Sequence, residues 1–177
     1  MTVHVVLLRG INVGTANRIS MASLREVLEQ VGCTEVATYL QSGNAVVSWD
    51  AGAGDLEQQA RVALQAGLLK RAPVMVRTAV ELDDIVTQNP WQADDLNPKL
   101  LHVAFFEGDV DPGKAAAVNH AELAPERVAV GPRHVYVFYA NGVRRSALGR
   151  LDVGGGEATG RNWNTVLALQ RLAAERG

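Results

Sequence analysis

The chain has 177 residues, is 47% hydrophobic and 20% charged, and carries a formal net charge of −2. This length suits one domain or two small packed halves, and the composition excludes a disordered chain. The slightly acidic balance removes the simplest case for non-specific nucleic-acid binding. The single cysteine, Cys33, excludes an intrachain disulfide and points to a reducing compartment.

Residues 3–8 (VHVVLL) are β-rich and almost wholly apolar, the pattern of a central strand. After the polar string RGINVG at 9–14, Ser20 can cap a helix that places Met21, Leu24, Val27, Leu28 and Val31 on one face, and Gly32 ends it. Residues 35–40 and 45–49 read as strands joined by QSGN. Asp55 and Gln58 resemble a capping box for a helix that turns Leu56, Ala60, Ala63, Leu64 and Leu68 inward, and Pro73 introduces a strand at 74–78. Together these make β-α-β-β-α-β, the ferredoxin-like unit. Thr78 and Glu81 form a capping box for a further helix, stopped by Asn89-Pro90.

Residues 89–98 (NPWQADDLNP) read as the connection between a first half at 1–88 and a second at 99–177. In the second half a strand at 100–106 precedes an Asp111-Pro112 helix start, and strands at 126–130 and 134–139 flank Gly131-Pro132. Helical segments near 142–150 and 162–176 follow, separated by the glycine-rich DVGGGEATG. The expected fold class is therefore α+β with two ferredoxin-like halves, the second lacking or replacing its last strand.

Three strings are richer in hydrogen-bonding side chains than turns require: RGINVG, YLQSGN at 39–44 and TGRNWNT at 159–165. In a ferredoxin-like sheet the first two strands run parallel, so the loops that follow them share one end. Arg9, Asn12, Gln41, Ser42 and Asn44 should meet there, with Arg18, Lys70 and Arg71 on the same rim and the start of the Ser20-capped helix beside them. Such a place favours an anion. Arg161, at the start of the last helix, is a further candidate contact, with Thr159 or Asn162 as the cap. Each residue also has a structural use: Gly10, Gly14 and Gly43 as turn residues, Asn12 and Asn44 as loop braces, Lys70 and Arg71 as a solvated helix end.

RGINVG, NRISM at 17–21, YLQSGN and RNWNT resemble, in order and spacing, the bacterial domain-of-unknown-function family sixteen-ninety-seven, over residues 7–172. The resemblance implies an α+β protein with ferredoxin-like halves and no established activity. The family often places a second Gly and a Lys before the helix-starting Met. Here Thr15, Ala16, Asn17 and Arg18 fill that stretch, and Arg18 keeps the charge.

Other chemistry finds little support. GGEATGRN at 155–162 echoes a phosphate loop but lacks its Lys and its Ser or Thr. His4, His102, His120 and His134 have no metal-like spacing, and Cys33, just past a helix end, reads as buried. Tyr136 and Phe138 share a sheet face near Arg133, which would suit RNA if the face were open; covering helices would make both rings core, the favoured reading. No signal peptide or membrane span is visible in MTVHVVLLRG, so a cytoplasmic location and no membrane partner are expected. The expectation is a protein that binds a small polar or anionic molecule through RGINVG and QSGN, with no cofactor, no metal and no assignable catalytic residue. An enzyme at the same site and an RNA-binding second sheet are the alternatives.

Overall fold

The apolar run at the N-terminus becomes β1 (Thr2–Leu8), which is hydrogen-bonded on both sides and buried from Val3 onward. Around it stand α1 (Met21–Gln30), β2 (Thr34–Tyr39), β3 (Asn44–Trp49), α2 (Ala53–Gln65), β4 (Val74–Thr78) and α3 (Ala79–Thr87). The sheet order is β2-β3-β1-β4 and every neighbouring pair is antiparallel, the ferredoxin-like arrangement. The structure is a computed structural model describing residues 1–15, 17–92, 94–118, 120–146 and 152–177. It divides into unit 1, Met1–Thr87 with Leu167–Gly177, and unit 2, Gln88–Val166.

In unit 1, Val6, Leu8, Val47, Val74 and Val76 pack on one sheet face against Leu24, Val27 and Leu28 of α1 and Leu56, Ala60 and Leu64 of α2. Each such aliphatic side chain contributes about 1.5–3 kcal/mol when fully removed from water, so the two helices are held mainly by these stripes. Ser20 caps α1, its Oγ accepting from Ser23 N–H at 2.9 Å. Thr78 and Glu81 form the expected reciprocal box: Thr78 N–H donates to Glu81 Oε2 (2.7 Å) and Glu81 N–H to Thr78 Oγ1 (3.1 Å). Asp55 does not cap α2. That helix starts two residues earlier, with extended Gly52 at the cap and no side-chain bond there, and Asp55 sits in the first turn, where its charge suits the dipole.

Unit 2 contains β5 (Leu101–Phe106), α4 (Pro112–Ala116), α5 (His120–Leu123), β6 (Arg127–Val130), β7 (His134–Phe138), a 3₁₀ turn at Val143–Arg145, and β8 (Ala158–Asn162). The order β6-β7-β5-β8 repeats that of unit 1, again with antiparallel neighbours. The fold is α+β with two ferredoxin-like sheets, and the second is not short of its fourth strand. β8 was read as glycine loop and helix start because ATGRN buries Thr159 and Arg161 instead of apolar residues. Its strand character comes from pairing with β5, a partner more than 50 residues away in the chain. A helix expected at 142–150 is represented by the 3₁₀ turn; positions 147–150 lie outside the described residues.

Asp111 caps α4, accepting from Lys114 N–H at 2.8 Å, with Pro112 opening the helix. α6 (Trp163–Ala174) closes the chain, and Asn162 Oδ1 accepts Thr165 N–H at 2.9 Å at its start. Val166, Leu169 and Ala173 are buried and Trp163 is half-buried. The glycine-rich string runs beside residues 107–111 through backbone bonds: Gly108 N–H to Gly155 O (2.8 Å) and Asp111 N–H to Val153 O (2.8 Å). A Cβ on Gly155 would stand 2.8 Å from the Phe106 ring, and Gly155 has φ +78°, so close approach accounts for glycine there. No helix among the described residues is long and apolar enough to cross a membrane.

Candidate functional site

β1 and β2 are both antiparallel to β3, so they run in the same direction, and the segments leaving them meet at one end of the unit 1 sheet. The meeting is built from side chains. Asn12, at φ +55°, donates from Nδ2 to Ile19 O (2.9 Å) and to Gln41 O (2.8 Å), and its Oδ1 accepts Ile19 N–H (3.0 Å). One amide thereby joins Asn12 to Ile19 and ties both to the β2–β3 turn. Asn is among the residues that tolerate left-handed φ, and no other side chain of its size presents two donors and an acceptor.

A second set of bonds completes the rim. Leu8 N–H donates to Gly43 O (2.8 Å) and Arg9 N–H to Pro73 O (3.0 Å). Asn17 Nδ2 donates to Arg71 O (3.2 Å), and Arg18 reaches back to Gly14 O through Nε and Nη2 (3.1 and 3.0 Å). Asn44 is fully buried, with Nδ2 donating to Tyr39 O (2.8 Å) and Ser42 Oγ (3.0 Å), so it braces the β2–β3 turn from inside. Gly43 has φ +78°, and a Cβ there would lie 2.6 Å from Ile11 Cδ1 and 2.7 Å from Leu8 Cβ. Only glycine fits.

Three segments, 9–20, 39–44 and 66–73, therefore form one rim. They carry Arg9, Arg18, Lys70 and Arg71, all exposed, and no Asp or Glu. The first turn of α1, which opens at this rim, holds no acidic residue either. Unbonded N–H groups of a helix start and its dipole add to the positive field of the four cations. Gln41 and Ser42 are exposed on the turn. Of the residues singled out in the sequence, Arg9, Asn12, Gln41, Ser42 and Asn44 come together here.

Arg161 belongs to unit 2, on β8. It is 7% exposed, donates from Nη1 to Thr159 Oγ1 (2.7 Å) and Gly160 O (2.8 Å), and burial pushes its guanidinium down to about 10. Tyr136 is 4% exposed, edge-on to Trp91 and His134, and burial pushes its phenol up to about 12. Phe138 is half-buried. An RNA-stacking sheet needs open rings, a condition Tyr136 does not meet. Cys33 is buried and its thiol is pushed up to about 11, the opposite of an activated nucleophile. Among the described residues no group of three His, Cys, Asp or Glu side chains could hold a metal ion.

Sequence reasoning missed two residues of the rim: Val13 and Leu40, exposed by 74% and 55%. The available signal was an aliphatic residue inside an otherwise polar loop. Leu68 does not turn inward as the helical stripe predicts: it is 44% exposed, on the groove between α1 and α2.

The model of the family described as "Protein of unknown function (DUF1697)" matches residues 1–136, which include the RGINVG and YLQSGN segments. The chain belongs to this family. Among solved structures it is similar to the conserved bacterial protein SP0830 from Streptococcus pneumoniae, with 20% identity, a TM-score of 0.75, and coverage of 97% of this chain and 98% of that one. At that identity the likeness concerns the fold. No curated protein matches the sequence.

Proposed function

We propose that this member of DUF1697 binds a small polar or anionic ligand at the unit 1 rim. The observation that supports the reading is the acid-free rim itself: four exposed cations gathered at a helix start by three segments that side chains tie together. Arg9 is the main anion contact, since a guanidinium grips two oxygens at once. Gln41 and Ser42 add neutral hydrogen bonds from the turn, and Asn12 and Asn44 hold the two loops at the spacing the ligand needs. The reading does not require Arg161. Binding is favoured over catalysis because the three segments contain no His, Asp, Glu or Cys to move a proton or attack a substrate.

The test is titration with inorganic phosphate and pyrophosphate, followed by thermal shift, since a ligand selective for the folded state raises the melting temperature. Losing a charge-assisted hydrogen bond costs about 1.5–3 kcal/mol, so Arg9→Ala should weaken binding roughly ten- to hundredfold, with Arg9→Lys between it and the parent. Unchanged affinity in a folded Arg9→Ala protein would remove Arg9 from the site. Absence of any shift with both anions would sink the reading.

A further inference from the structure

We infer that the unit 1 rim docks the protein on an anionic membrane surface, the anion of the preceding section being a lipid headgroup phosphate; this rests on the proposed anion site. Val13 and Leu40 carry the step. Of the seven large apolar side chains exposed among the described residues, two fall on the paired loops, the one that holds Arg9 and Arg18 and the β2–β3 turn. Val13 stands next to Asn12 and Leu40 next to Gln41, and the Asn12–Gln41 bond joins their two loops. Leu68, on the third segment, instead lines the groove between α1 and α2 with Ser23, Glu26 and Gln30.

A small soluble anion explains the cations and leaves the aliphatic side chains idle. A bilayer uses both: the cations meet the headgroups and the aliphatic tips enter the boundary with the acyl chains. Leu40 adds weight. It has φ +58°, a conformation that Asn or Gly adopts with less strain, yet an exposed leucine holds it. Single-stranded nucleic acid fits less well, because Val and Leu offer bases no ring to stack on and the rim's three segments contain one aromatic residue, Tyr39. A surface contact needs no spanning helix, so the absence among the described residues of a helix long and apolar enough to cross a membrane does not oppose it.

The experiment is flotation of the full chain with vesicles of phosphatidylcholine containing about one-third phosphatidylglycerol, beside pure phosphatidylcholine vesicles, a single-stranded RNA oligonucleotide and inorganic phosphate. The parent should float with the anionic vesicles only, and release with rising salt. Val13→Ser with Leu40→Asn should lower vesicle partitioning at least tenfold while leaving the phosphate response unchanged and the melting temperature no lower than the parent's. Lys70→Ala should lower it about fivefold, the effect of one cation near an anionic surface. Phosphate binding without vesicle binding would overturn this inference and leave the anion site standing; failure of both would remove both. Equal flotation with neutral vesicles, an unaffected double variant, or RNA binding in place of vesicle binding would each overturn the membrane assignment.

Discussion

The two sheets share one strand order, and the same end of each is furnished with opposite charge. In unit 1 the segments leaving β1, joining β2 to β3 and leading into β4 carry four cations and no acid. Their counterparts in unit 2, residues 107–111, 131–133 and 152–157, carry Glu107, Asp109, Asp111, Asp152 and Glu157 against one cation, Arg133. Arg133 is turned to local use, donating from Nη2 to Glu107 O at 2.7 Å. The bracing differs as well. Unit 1 closes its loops with asparagine side chains, whereas unit 2 lays a glycine-rich strip beside residues 107–111 through backbone bonds. A ferredoxin-like topology thus supplies a place where loops meet, and the side chains decide what that place attracts.

The sharpest way to break this comparison is at one glycine in each of the two turns. Gly43→Ala should cost about 3 kcal/mol, because the new Cβ meets Leu8 Cβ and Ile11, which are packed, and the left-handed φ adds strain. In Gly131→Ala the three atoms nearest the new Cβ, at 2.2–2.8 Å, belong to the His134 ring. His134 is buried against Tyr136, but Gly131 lacks the left-handed φ that adds strain at Gly43, so urea unfolding should show the smaller loss for Gly131→Ala. Equal losses would mean that the unit 1 rim is no more tightly built than its counterpart.

Asn12→Ala should cost about 2 kcal/mol, since it leaves Ile19 N–H, Ile19 O and Gln41 O without their partner. Asn12→Gly tests the cause: it keeps the left-handed backbone accessible but loses the same bonds, so it should remain destabilised in the same unfolding assay. Recovery in the glycine variant would assign the effect to φ alone.

Helix caps give a smaller effect, roughly 1 kcal/mol for either Ser20→Ala or Asp111→Ala. Hydrogen exchange should tell them apart. α1 buries Leu24, Val27 and Leu28, so its amides should stay protected, whereas α4 buries no residue and should open. The smallest effect concerns reactivity: with its thiol pushed up to about 11 and buried, Cys33 should resist iodoacetamide at pH 8 in the folded protein and react on unfolding. Rapid labelling of the native chain would contradict that burial.

The sequence was most legible where the interactions are local. The caps at Ser20, Thr78–Glu81, Asp111 and Asn162 were readable because each joins residues three apart in the chain. β1 was readable because a central strand is apolar on both faces, and the meeting of RGINVG with QSGN followed from element order alone. Gly52 in place of Asp55 shows the margin of such reading, since a glycine cap leaves no side-chain signature.

What the sequence determined by itself was the alternation of elements, their caps, the apolar stripes and the concentration of cations near two polar strings, all properties of neighbouring residues and their periods. Only the tertiary structure decided that ATGRN is a strand, because its evidence lies in hydrogen bonds to β5. It also decided that Asn44 is buried as a brace while Val13 and Leu40 stand in solvent. It decided too that Leu167–Gly177 groups with the first unit. Burial and long-range pairing depend on what the rest of the chain brings alongside, and no local pattern of residues contains that information.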